Sequence, residues 1–416
     1  MRPMVEKQQK KVCPDCGGVP TNHFFAYLEG VMDIIVTPTL HISERIRYDF
    51  KQLFLPVLAK IRKTNFVSRL VSMLSIIKLG YILDMPDEKN NWRSKVFWEE
   101  ANRRGIEMKE FRLFGKQLEW FIAKYNGKTV TFEGLPRPEG SYNKSLIWMD
   151  NKGTIKKKFL PHDIPMAQGS ICARLGKAKK ILSNIHGPVI VKPHLGSRSR
   201  HTFTHIINEV DLGKAFKSAK RISPLVIVEE ELKGFVFRAL LINKKLVGII
   251  RREPPYIVGN DISTIKKLIG DENKNQKRQG PIFHTIPLNE ETQAELERQH
   301  VTYESIPIQG QLVLLGQKVG RSGGGSTTDM TGIAHQSNIE LFEKIGNILN
   351  DPLVGIDFII DDITKPWYEQ KACGVIECNS LPFIDLHHYP LYGEPRNVAG
   401  MLWDLIFPES NPHTTH

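Results

Sequence analysis

Cysteine is scarce, with five in 416 residues. So few scattered thiols exclude the disulfide framework on which small secreted scaffolds rely. A long apolar run is missing too. The longest candidate, Phe66 to Leu83, is broken by Arg69, Lys78 and Gly80. It falls short of the roughly 20 consecutive apolar residues a membrane span needs, so no membrane partner is expected. Met1–Lys11 is charged and no apolar core follows, so no secretory leader is expected and a cytoplasmic location is. Internal repeats are absent, and so is any GxxxxGK[ST] phosphate loop.

What the chain has in excess is positive charge, 57 Lys and Arg against 45 Asp and Glu, a formal net charge of +12. A basic balance favours polyanions: nucleic acid, phosphates, acidic polymers or anionic lipid. The lysine runs at Lys156–Lys158, Lys177–Lys180 and Lys244–Lys245 read as solvated faces, and nucleic acid is not the expected partner. The length allows two or three domains.

Residues 1–25 read as a flexible tail carrying Cys13-Pro-Asp-Cys16. One CxxC is half of a zinc ribbon and needs a second Cys or His pair. His23 and His41 are candidates at an atypical spacing; the alternative is an exposed, unpaired thiol couple. Residues 26–149 read as a small α/β domain. Helical spacing covers Ser43–Arg62, Thr64–Ile82 and Ser94–Arg104; strands are expected at Ile106–Leu113, Lys128–Phe132 and Ser145–Met149. A new unit, 150–408, opens where Asp150 or Asn151 caps a helix ending before Ile164-Pro165. It continues with helix Ala173–Ile185, strands Val189–Pro193 and Leu225–Glu229, and a polar linker at Gly270–Gly280. Residues 409–416 form a tail.

The chemistry is concentrated in the last third. Gly355-Ile-Asp-Phe-Ile359 and Gly374-Val-Ile-Glu-Cys-Asn379 read as buried strands with oxygen ligands at their polar positions. Glu377 and Asn379 are two apart and share a strand face. Asp357 lies a hairpin's length upstream, with the loop at Asp361–Tyr368. Two carboxylates and an amide oxygen suit Mg²⁺, a hard cation that keeps positions open for phosphate. Lys192 ends an apolar strand and can present its ammonium to phosphates. The loop after it, with Ser197 and Arg198, offers hydroxyls, backbone N–H groups and arginine forks. Glu229-Glu230-Glu231-Leu232 follows another apolar strand, as a hinge reading adenine edges would, or as a solvated strand end.

In order, Asp150-Asn-Lys152, Val189-Ile-Val-Lys-Pro193, Val226-Ile-Val-Glu-Glu-Glu-Leu-Lys-Gly234, Gly355-Ile-Asp357 and Glu377-Cys-Asn379 resemble the ATP-grasp carboxylate–amine ligases. The resemblance is closer to the ATP-grasp domain of cyanophycin synthetase, through Arg251-Arg252-Glu-Pro, Gly323-Gly-Gly-Ser-Thr-Thr-Asp329 and Glu394-Pro-Arg-Asn-Val398. It covers about residues 150–408. It implies an α/β (α+β) ATP-grasp fold, two lobes clamping Mg-ATP between antiparallel sheets. The implied activity joins an amino acid or peptide carboxylate to an amine through an acyl phosphate. The implied roles are Mg²⁺ (or Mn²⁺) on Asp357, Glu377 and Asn379; ATP on Lys152, Lys192, Glu229 to Leu232, Ser197 and Arg198; and catalysis by Lys192 and Arg252. Arg251, Arg252, Gly324, Ser326 and Arg396 would meet substrate, and related enzymes suggest a homo-oligomer. The departures are Ser199 and His201 where glycines are expected, Val236 where an acid would hold ribose, Gly320 in place of Asn, and no Mur-ligase-like half. An ATP-binding module without ligase turnover is the alternative.

Overall fold

The computed structural model describes residues 13–16, 21–28, 30–31, 80–113, 116–138, 149, 152–194 and 200–412. The expected helix at 43–62, most of that at 64–82, and Asp150, Asn151, Ser197, Arg198 and Ser199 lie outside these residues; of the strand at 145–149, only Met149 lies inside. The chain divides into two units, residues 1–60 with 167–232 and residues 61–166 with 233–416.

In the larger unit, β1 (Gly80–Leu83), β2 (Glu107–Leu113), β3 (Lys116–Tyr125) and β4 (Lys128–Glu133) form an antiparallel meander. Asn126-Gly127 joins β3 to β4 with φ of 44° and 76°, the left-handed pair that a two-residue hairpin needs. The helical pattern read up to Ile82 gives way to strand at Gly80. In so short an apolar run, periods of 3.6 and 2 are not distinguishable. Above the sheet lies α1 (Trp92–Arg103), started by Asn91, whose side chain accepts the Ser94 N–H. Next comes α2 (Lys152–Phe159), which buries Ile155 and Phe159.

The smaller unit holds β5 (Gly169–Cys172), β6 (Val189–Pro193), β7 (Phe203–Ile206) and β8 (Val226–Glu230), antiparallel in the order β5-β8-β6-β7. Helices α3 (Leu175–Asn184) and α4 (Glu209–Ala219) cover it, with Ala178, Leu212, Ala215 and Phe216 packed on Val189, Val191, Val226 and Val228.

Back in the larger unit come β9 (Phe235–Ile242), β10 (Lys245–Glu253) and a ribbon of β11 (Tyr256–Val258) with β12 (Leu312–Leu314). The ribbon is backed by α5 (Ile265–Glu272) and α6 (Glu290–Arg298). With β13 (Ser326–Asp329), β14 (Leu353–Ile360) and β15 (Gly374–Asn379), β9 and β10 build an antiparallel sheet ordered β13-β10-β9-β14-β15. Its Phe237, Ala239, Leu241, Val354, Ile356 and Phe358 pack on Leu341, Phe342 and Ile345 of α7 (Gln336–Leu349). On the opposite face, Leu240, Ile242 and Leu353 join one core with Phe97, Trp98, Phe121 and Phe132, closed by Trp403 and Phe407. Residues expected to form a separate N-terminal domain thus share their core with the C-terminal sheet. The chain ends through α8 (Asp385–His388) and α9 (Val398–Ile406).

The expected linker Gly270–Gly280 is instead ordered. Arg278 is buried and donates to Glu272 (2.7 Å) and to the Gly324 carbonyl (2.8 Å). A charged side chain organises this segment, which apolar periodicity does not register. Among the described residues, no helix is long and apolar enough to cross a membrane.

Gly234 leads into β9 with φ of 120°, and a Cβ there would lie 2.3 Å from the Ile360 carbonyl carbon. Gly234→Ala is expected to destabilise the protein by about 1–3 kcal/mol. A urea midpoint equal to wild type would refute that reading.

Candidate functional site

Strand pairing assembles the larger unit's site. Arg238 stands opposite Asp357 across β9 and β14, and Asp357 stands opposite Glu377 across β14 and β15. The Arg238 fork donates to both Asp357 oxygens, Nη2 to Oδ2 at 2.7 Å. Both groups are buried. Arg252 Nη1 lies 3.8 Å from Asp357 Oδ2. Lys152 Nζ lies 3.6 Å from Glu377 Oε2, and Asn379 Nδ2 donates to Glu377 Oε1 at 3.5 Å. Asp357, Glu377, Asn379, Lys152 and Arg252, expected from separate motifs, therefore meet on one patch of sheet. Gly355 leaves room beside it: a Cβ there would lie 2.8 Å from Pro382 and 3.5 Å from the Arg238 stem.

Arg238 was not expected. Its signal was available, because a charge inside the apolar strand Phe235–Ile242 requires a buried partner.

The site's electrostatics follow from burial. Desolvation opposes the Asp357 charge, but the Arg238 guanidinium outweighs it and holds the carboxyl below its ordinary range. Arg252 is shifted downward as well, because desolvation disfavours its charge and the cations Arg238 and Arg321 lie nearby. Arg321 itself pairs with Asp385. Arg238 Nη1, Arg252 Nε and Arg321 Nη1 are buried without a hydrogen-bond partner among the described residues. Orphaned donors on buried cations are costly, and an anion from solution relieves them. Oxygen donors fit a hard divalent cation, and the Glu377 side chain, 36% exposed, stays open to one.

Other expected substrate residues fall nearby in sequence but face different partners. Arg251 sits 3.1 Å from Glu253 and over the Phe235 ring. Arg396 gives both donors to Asp329, at 2.9 and 3.0 Å. Gly324 closes the turn before β13 at φ of 86°, and Ser326 is buried. His388 is half-buried, and its Nε2 accepts the Ala399 N–H at 2.9 Å.

His387 is wholly buried, and among the described residues neither ring nitrogen has a hydrogen-bond partner. Burial, reinforced by Arg238, pushes its pKa down to about 3. It is neutral when folded and titrates normally when unfolded, so below pH 6.5 the unfolded state binds the extra proton. Between pH 6.5 and 3 stability is expected to fall by up to about 1.4 kcal/mol per pH unit from this group. His387→Gln should flatten that part of the stability–pH curve; an unchanged slope would contradict the assignment.

The smaller unit holds the other expected residues. Lys192 Nζ donates to Glu229 Oε1 at 2.5 Å. The carboxylates after it are engaged locally: Glu230 Oε1 accepts the Gln168 N–H (2.8 Å) and Glu231 Oε2 the His205 N–H (2.7 Å). Leu232 is 9% exposed. Gly169 allows this close pairing, since a Cβ would fall 2.3 Å from the Val228 carbonyl.

No protein-family model matches the chain. It is 29% identical over 262 residues to cyanophycin synthetase of Trichormus variabilis, covering 62% of this chain and 29% of that protein. It is 28% identical over 393 residues to the glutathione biosynthesis bifunctional protein GshAB of Clostridium perfringens, covering 91% and 48% respectively. The chain thus spans less than half the length of these relatives. Similarity to cyanophycin synthetase, indicated by the motif order, is borne out. The GshAB alignment extends beyond it, into the N-terminal third. Among solved structures, a bifunctional glutathione synthetase from Pasteurella multocida matches with a TM-score of 0.56 at 24% identity, over 76% of this chain and 43% of that one. That likeness establishes the fold: the mixed α/β ATP-grasp architecture with antiparallel sheets.

Proposed function

We propose that the protein is an ATP-dependent carboxylate–amine ligase. The observation that carries this reading is the patch of Asp357, Glu377 and Asn379 bordered by buried arginine donors that lack acceptors among the described residues. Such a patch suits a divalent cation beside a carboxylate and a phosphoryl group. In the proposed reaction a carboxylate oxygen of an amino acid or peptide attacks the γ-phosphorus of ATP, and ADP leaves. An amine nitrogen then attacks the acyl carbon, inorganic phosphate leaves, the nitrogen loses a proton, and an amide results.

Asp357, Glu377 and Asn379 would hold Mg²⁺ or Mn²⁺, which supplies charge neutralisation to the phosphates. Arg252 steadies the negative charge on the transferring oxygens, and Arg238 fixes the Asp357 carboxylate so that it need not reorganise. Lys152 and Lys192 are the proposed phosphate cations, and Glu229 to Leu232 the nucleotide hinge. Under this reading the protein works in the cytoplasm, as a homo-oligomer, on small molecules rather than nucleic acid.

A second reading, nucleotide binding without turnover, draws on the short Lys192–Glu229 pair, which ties up the lysine. The two separate in a coupled ADP-release assay with Mg-ATP against pooled amino acids, peptides and amines, followed by mass analysis. The ligase reading expects ADP with one pool and a product lighter by one water than its two substrates. ATP binding with no ADP release from any pool would favour the second reading.

A further inference from the structure

The CxxC segment does not stand apart as a tail. Cys13, Cys16, His23 and His201 converge, each offering one ligand atom, and the four atoms lie within 4.8 Å of one another. His23 Nε2 is 3.2 Å from Cys16 Sγ, and His201 Nε2 is 3.4 Å from Cys16 Sγ and 3.8 Å from Cys13 Sγ. A tetrahedral zinc ion with Zn–S near 2.3 Å and Zn–N near 2.0–2.1 Å sets sulfur–nitrogen edges of about 3.6 Å. The observed distances bracket that edge. The two imidazole rings meet at 81° with centroids 5.1 Å apart, edge to face and not stacked.

We propose that these four side chains form a closed Cys₂His₂ zinc site that fastens the N-terminal segment to the sheet of the smaller unit. Two thiolates and two imidazoles in tetrahedral disposition are a zinc donor set, and with four protein ligands no position remains for substrate. The surroundings are built for it. Cys16 is 2% exposed and His201 is fully buried. His201 Nδ1 lies 2.8 Å from Ser218 Oγ, which in turn donates to Asp15, so the ring is oriented with Nε2 toward the thiols. The His201 N–H donates to the Asp15 carbonyl at 2.8 Å. The turn Pro14–Cys16 closes through Cys16 N–H to the Cys13 carbonyl, and Arg221 Nη1 lies 3.8 Å from Cys13 Sγ.

The site also accounts for a departure from the family pattern. His201 holds φ of 50°, a left-handed conformation natural to glycine, which the resemblance expects there. A histidine in that conformation, completely buried, is explained when its ring is a ligand. Because His201 follows directly on the loop proposed to handle phosphate, the metal would anchor the end of that loop to residues 13–23. The expected partner His23 is confirmed as a neighbour of the thiols; His41 lies outside the described residues. The fourth member stands 185 residues from Cys16 and was invisible to local spacing.

The test is elemental analysis of the full chain purified under reducing conditions without chelator, with cobalt replacement as a second readout. About one zinc per chain is expected, and the cobalt form should show the thiolate charge-transfer and d–d bands of tetrahedral S₂N₂ ligation. Cys13→Ser should lose zinc; it lies at the half-buried edge, so circular dichroism can verify folding. Ser218→Ala, which removes only the group orienting His201, should weaken zinc binding by about 10–100-fold in a competition assay with a chromogenic chelator. Reduced, folded protein that holds neither zinc nor cobalt would overturn the proposal. So would zinc retained at full stoichiometry and affinity by both Cys13→Ser and His201→Ala. These readouts are independent of ligase turnover, so they stand or fall apart from the proposed reaction.

Discussion

Glu377→Gln is expected to lower ADP formation by at least about 10²–10³-fold while leaving the protein folded. The side chain stands opposite Asp357, next to Asn379, and is one-third exposed. Its only ion-pair partner among the described residues is Lys152, at 3.6 Å, so its loss removes little packing. What it does remove is one of the two negative charges of the proposed cation site, the one that Arg238 does not hold. Glutamine keeps the shape and drops the charge, which separates electrostatic from steric causes. Arg252→Ala should give a comparable loss, because Arg252 is the cation beside Asp357 whose Nε awaits an acceptor. Steady-state ADP release at saturating ATP, with a urea melt for folding, measures both. Wild-type turnover in a folded Glu377→Gln protein would remove Glu377 from the proposed cation site.

The largest stability effect is expected at Trp403. Trp403→Ala should destabilise the larger unit by about 3–5 kcal/mol. The indole is fully buried, stacks on Phe97 with centroids 4.0 Å apart at 15°, and donates its N–H to the Phe97 carbonyl at 3.0 Å. Phe97 lies on α1, over the first sheet, whereas Trp403 lies on α9 near the chain's end. The substitution therefore opens a cavity in a core that the first sheet, its helix α1 and the C-terminal helix build together. Urea unfolding followed by circular dichroism should show one transition with a lowered midpoint. A loss below about 1 kcal/mol, or a separate transition for residues 80–138, would mean that the first sheet folds on its own core.

The sequence made the acidic patch legible because strand geometry is simple. Alternation puts Glu377 and Asn379 on one face, and a hairpin's length brings Asp357 opposite. Lys192 near the end of β6 falls on the strand expected for it, and the acidic run begins within β8, at Glu229 and Glu230, and continues past it. The pairing between them was not foreseen, since β6 and β8 are neighbours separated in sequence by β7 and α4. Arg238 was missed because attention to apolar pattern treats a lone charge in a strand as noise, yet it is the residue that fixes Asp357. The shared core was missed for another reason. Periodicity shows which face of an element is buried, not which distant element covers it, and Phe97 and Trp403 are 306 residues apart. His201 was read as a departure in a loop; its meaning came only from where the chain brings Cys13, Cys16 and His23.

The central claim is that a carboxylate is activated by phosphoryl transfer from ATP. It is tested most directly with the carboxylate substrate found in the ADP screen, labelled with oxygen-18 in both carboxyl oxygens. After one turnover with Mg-ATP and the amine, the released inorganic phosphate should carry one labelled oxygen, the amide the other, and the nucleotide product should be ADP. Unlabelled phosphate, or AMP with label in its phosphate, would contradict the account, because the carboxyl oxygen would then never have bonded to the γ-phosphorus.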